Sequence, residues 1–215
     1  MSMRTAGPFL AAPIRCLAAR LAVFRRDRRG VAAVEFALVL PLMLIMYLGM
    51  AVTTIGISID RKLTIASRAL ADLTAQRGRI SDSEKDNIFA AAAAVMAPYS
   101  PAGAELALFS VYIDSKGAAR VCWSDANKAG IAPAAGSAYT FPPSAADLTR
   151  NVSSSVIVGQ VTYPYSTGLA GVFEMLGLFG GVFDNGVLRM SETTYMRPRS
   201  VAQVARDGQS TCKVS

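Results

Sequence analysis

Residues 25–50 read RRDRRGVAAVEFALVLPLMLIMYLGM. A basic cluster ends at Gly30, and the apolar run behind it is interrupted by one acid, Glu35. From Phe36 to Ile59 the chain carries no charge over 24 residues. At about 1.5 Å of rise per residue, a helix of that length crosses a hydrocarbon core of about 30 Å. Pro41, Gly49 and Gly56 lie within the run; membrane helices tolerate such residues better than soluble ones. Pro41 removes one backbone hydrogen bond, so it is expected either to kink the helix or to sit in it harmlessly.

The whole chain fits this beginning. Its 215 residues are 52% hydrophobic and 17% charged, and the mean hydropathy is +0.35. That is apolar for a wholly soluble domain. The net charge of +7 is uneven, because residues 1–30 hold seven arginines against one acid, Asp27. A basic block flanking an apolar segment reads as a topology signal rather than a nucleic-acid patch. It places residues 1–30 in the cytoplasm and residues 60–215 across the membrane. Cys122 and Cys212 then share the far side, which in a bacterium is the oxidising periplasm, while Cys16 stays behind. A Cys122–Cys212 disulfide is expected, with two free buried thiols as the alternative. The chain has no His and no close Cys pair, so no metal site is expected.

The apolar run is too long for an ordinary secretory signal, and RRDRRG lacks the surroundings of a twin-arginine signal. Another order of residues is more specific. Gly30 is followed by Val31, Ala32, Ala33 and Val34, then by Glu35 and the aromatic Phe36. Together with Arg28, Arg29 and the long helix, this resembles the processing motif of type IV prepilins. It looks most like the TadE-type pseudopilins of tight adherence (Tad/Flp) pilus systems. The resemblance covers residues 25–75, returns at SETTYMRPRS near the C-terminus, and is vague between.

The resemblance implies that a membrane prepilin peptidase cuts between Gly30 and Val31, leaving a mature chain 31–215. Gly30 suits such a cut, because it disfavours helix by about 1 kcal/mol relative to Ala. The other reading is that Gly30 ends a short amphipathic basic helix carrying Leu10, Ile14, Leu17, Leu21 and Phe24. The resemblance also implies that Glu35 neutralises a neighbouring subunit's new α-ammonium as helices pack, or guides the peptidase. Read alone, Glu35 is a tolerated interfacial acid, one turn from the cytoplasmic edge. The implied partners are the major Flp-type pilin, sibling pseudopilins, the peptidase and an inner-membrane platform. An uncleaved single-pass anchor with a periplasmic interaction head is the alternative.

Beyond the run, Leu63, Ala66, Leu70 and Leu73 recur near one helical face. One helix is therefore expected from Val31 to about Gln76, the later part acting as a stalk. SDSEKDNIFAAAAAVMAP predicts a second helix, with Ser81 and Glu84 at capping-box spacing. ELALFSVYIDSKGAARVCWS predicts a hairpin turning at Asp114–Gly117. SSVIVGQVTYPY and GVLRMSETTYM predict two more strands, and residues 126–150 read as a long loop. Residues 168–183, GLAGVFEMLGLFGGVF, are either head core or a docking surface. Arg197 and Arg199 form a basic edge that is solvated or paired with an acid.

The expected fold class is α+β. A long N-terminal transmembrane and stalk helix precedes a small periplasmic head with a helix and an antiparallel sheet of about four strands. The expected organisation is a cytoplasmic leader 1–30, a transmembrane helix 31–59, a stalk 60–80 and a head 81–215. No phosphate loop, nucleophile elbow or cofactor motif is present. A structural assembly role is expected, with no enzyme activity and no small-molecule or nucleic-acid partner. The expected location is the inner membrane, with access to a surface pilus.

Overall fold

The computed structural model describes residues 29–168, 171, 177, 184–209 and 212. The leader up to Arg28, with Cys16 and its apolar face, lies outside the described residues, as does nearly all of the 168–183 segment.

Helix α1 runs unbroken over Arg29–Ala75, through Pro41. Proline has no N–H to offer the carbonyl of Ala37. The chain forms two compact units, Met1–Val52 and Thr53–Ser215. In the second unit, α1 leads through a two-residue strand β1 (Arg79–Ile80) to helix α2 (Asp82–Val95). Ser81 begins α2 by a reciprocal cap. Its hydroxyl accepts from the Glu84 N–H, and its own N–H donates to the Glu84 carboxylate at 3.0 Å. This is the capping box expected from the spacing.

The sheet follows: β2 (Glu105–Ile113), β3 (Ala119–Ala126), β4 (Ala138–Tyr139), β5 (Ser154–Ser166) and β6 (Val187–Met196), in the order β4-β3-β2-β5-β6. All its neighbouring strands are antiparallel. The fold is α+β, a long helix with a sheet head. The four long strands are those expected, and β4 adds a short fifth at one edge. The β2–β3 turn is built by the Asp114 side chain, which accepts from the N–H groups of Lys116 and Ala118 at 2.8 Å each. Gly117 takes the left-handed conformation, φ 81°, that the turn requires.

Both faces of the sheet are covered, so β2 is buried along almost its whole length. On one face lies α1, which buries Ile59, Leu63, Ala66, Leu70 and Ala71. Leu73 is only half-buried, at the rim; Ser67 and Thr74 complete the face in its place. The helix comes closest at Gly159, on β5. A Cβ there would meet the Ser67 carbonyl oxygen at 2.6 Å and the Ala71 nitrogen at 3.0 Å. The register puts Leu106, Leu108 and Ser110 of β2 on this same face, opposite Val161, Gly159 and Ile157.

The other face is covered by residues 137–150, expected to be loop. They hold β4 and a 3-10 helix, Pro143–Arg150. Phe141 and Ala145 pack there against Phe109, Val111 and Val158. Tyr139 stands edge-on to Phe141 with ring centres 5.0 Å apart. Burial, and a hydrogen bond with Tyr195, push the Tyr139 hydroxyl well above the ordinary tyrosine range.

Candidate functional site

Two places carry the residues singled out by the sequence. The first is the beginning of α1. Arg29 and Gly30 are already helical, so Gly30 belongs to the helix rather than standing ahead of it. Val31, Glu35 and Phe36 follow, and every side chain from Val31 to Leu44 is exposed on all sides of the helix. Val31 and Glu35 are four residues apart, hence on one face. Among the described residues, no cation pairs with Glu35. An apolar helix with no polar face is stable in water only if something covers it. Among the described residues α1 is the one helix long and apolar enough to cross a membrane, and none of its apolar window is buried.

The second place is where α1 ends. Its last turn is held by the chain's C-terminal segment. The Arg199 guanidinium pairs with Asp72, the Arg199 N–H donates to the Ala75 carbonyl at 2.9 Å, and the Ser200 hydroxyl donates to the Gln76 carbonyl at 3.4 Å. A cation at a helix C-terminus is favoured by the helix dipole, and these donors satisfy carbonyls that the helix leaves open. The basic edge at Arg197–Arg199 is thus paired through Arg199, and with an acid of the chain itself.

The same segment continues across the head. Val204 accepts the Trp123 indole N–H at 2.8 Å. A two-residue strand β7 (Ala205–Arg206) pairs in parallel with β1. Arg206 is buried, its guanidinium bonded to Asp125 at 2.7 Å and to Asp82 at 2.6 Å. The Arg206 pairing holds the Asp82 carboxyl below the usual range. Gln209 bonds the backbone of Ser124 at both N–H and carbonyl. Cys122 and Cys212 are joined by a disulfide, their Cα atoms 5.0 Å apart.

Sequence reading missed Arg206 and Gly159. Gly159 had a signal: a lone glycine inside the β-branched run VIVGQV marks a close backbone approach. Arg206 had none, since its partners lie far away in sequence. Among the described residues, no group of three or more His, Cys, Asp or Glu side chains is placed to hold a metal ion.

The first place is also where a known family is matched. Residues 30–72 match the family model of TadE-like proteins. No match was found among curated proteins or among solved structures. The TadE-like segment begins at Gly30, takes in the whole apolar run, and ends at Asp72, the acid that receives Arg199. It associates this helix with components of Tad pilus systems, a structural rather than enzymatic family.

Proposed function

We propose that the protein is a minor pseudopilin of a Tad-type pilus. It is held in the inner membrane by α1 and is cut by a prepilin peptidase between Gly30 and Val31. The observation that carries this reading is the register Gly30, Val31, Glu35, Phe36 at the start of an apolar helix, within the TadE-like match. Cleavage creates an α-ammonium on Val31. Two unit charges about 4 Å apart attract by roughly 4 kcal/mol at an effective dielectric of 20. Glu35 supplies the opposite charge to the helix of an adjacent subunit, and the exposed apolar sides of α1 pack against the major Flp-type pilin and sibling pseudopilins. Arg28 and Arg29 mark the cytoplasmic side for the peptidase, and the head faces the periplasm, where it contacts the assembly platform.

N-terminal sequencing of protein from cells with and without the peptidase tests the cut. The expected sequence is VAAVEF with the peptidase and the intact leader without it. An intact leader in both cases leaves the second reading, an uncleaved single-pass scaffold. That reading is favoured by one observation: Gly30 is itself helical. Glu35→Gln keeps shape and removes charge; it is expected to abolish or slow assembly, and normal filaments together with normal cleavage remove both roles given to Glu35.

A further inference from the structure

Just past the uncharged run, α1 turns one face to the head and another to solvent. The outward face carries Ile57, Arg61, Ile65 and Arg68, spaced by three or four residues and opposite the buried Leu63, Ala66 and Leu70. Ile57 and Ile65 are each more than half exposed. Arg61 and Arg68 are exposed, and among the described residues neither has an acidic partner. For Arg68 this is notable, because Asp72 stands four residues on, at the spacing where helical ion pairs form. Asp72 is taken instead: its carboxylate accepts from Arg199 and from the Gln76 amide. The fold thus draws the nearby acid away and leaves two arginines and two isoleucines in one stripe.

We infer that this stripe binds anionic phospholipid headgroups on the far side of the membrane. The inference rests on α1 spanning a membrane, as proposed above. The uncharged run ends at Ile59, so Arg61 falls directly in the headgroup layer, which adds about 5–7 Å to each side of the hydrocarbon core. Arg68 is about 13 Å further along the helix than Ile59. Helical side chains lean toward the helix N-terminus, here the membrane side, so the Arg68 guanidinium is carried back toward the lipid. It comes within about one Debye length of the headgroup charge. Arginine suits phosphate because its planar fork donates two parallel hydrogen bonds. Ile57 and Ile65 supply the apolar contact that such a shallow interfacial face needs.

The test uses the full chain in vesicles of equal phosphatidylglycerol and phosphatidylcholine. A benzophenone photocrosslinking residue replaces Ile65 in one sample and Met46 in another. At position 65 the expected product is a phospholipid adduct, with phosphatidylglycerol exceeding phosphatidylcholine by about fivefold per arginine. Arg61→Gln with Arg68→Gln brings the ratio near one, and Arg61→Lys with Arg68→Lys keeps an excess. Arg120→Gln, an exposed change elsewhere on the head, leaves it unaltered. Excess inorganic phosphate does not reduce it; if it does, the site is one for free anion and the lipid inference fails. A protein–protein adduct at 65, no lipid adduct there, or an undiminished excess in the double glutamine variant overturns the inference while lipid adducts at 46 uphold the membrane reading. If position 46 also gives no lipid adduct, both fall.

Discussion

At Gly159 one hydrogen in place of a methyl sets how near α1 comes to the sheet. The atoms a methyl would meet belong to backbone, the Ser67 oxygen and the Ala71 nitrogen, and cannot swing aside as a side chain would. Gly159→Ala should therefore destabilise the head by about 1–3 kcal/mol. The single tryptophan, Trp123, is buried, so its fluorescence in a denaturant titration reports the change as a lower midpoint. Arg206 is the second residue with large leverage. Its side chain is 3% exposed and that of Asp125 is 12% exposed, whereas Asp82 is 84% exposed. Arg206→Leu leaves Asp125 charged and nearly buried without its cation, at a cost of about 3–5 kcal/mol. Adding Asp125→Leu should recover most of that loss, since the unpaired charge is then gone. Failure to recover would mean that the bonds from Arg206 to Asp82 and to the Ile80 carbonyl carry the effect.

Among the elements, α2 shows how a local signal becomes a measurable boundary. Ser81→Ala removes the cap and should cost about 1 kcal/mol. The Glu84 carboxyl is held below its ordinary value, first by the Ser81 N–H and then by the Ser81 hydroxyl. A carboxyl depressed in the folded state adds stability above its unfolded value, near 4.5, and loses it as pH falls through the lower folded value. Acid should thus weaken α2 below about pH 4.5, and the pH dependence should shrink in Ser81→Ala, as read by midpoints across an acid series. Such elements were legible because their causes are local: the capping box, the Asp114–Gly117 turn, the apolar face of α1 at Leu63, Ala66 and Leu70. Residues 137–150 were not, because Ala, Pro and Ser reveal little about side packing, and Phe141 becomes a core residue through distant partners such as Phe109 and Tyr195. Of the candidate site, the Gly30–Phe36 register stood in the sequence. The contacts that seat α1's end did not, since they join residues more than a hundred positions apart.

For the molecule as a whole, the C-terminal segment is the closing piece. Its disulfide joins cysteines 90 residues apart, and closing a loop of that size stabilises a fold by about 2–5 kcal/mol. Replacing both Cys122 and Cys212 by Ser should lower the unfolding free energy by that amount, and reduction of the native chain should do the same; no change in either case would mean that Arg206 and Trp123 suffice to close the head. There is also a consequence in time. Asp72 meets Arg199 across 127 residues, Ile80 meets Arg206 across 126, and Gln76 meets Ser200 across 124. Contacts so distant form late and slowly. While the chain is being made, α1, β1 and the first turn of α2 exist long before their partners do. The open α1 face and unpaired β1 of that interval make the nascent protein a client for chaperones and a target for proteases, and a ribosome stalled before Arg199 holds a head that has no way to shut.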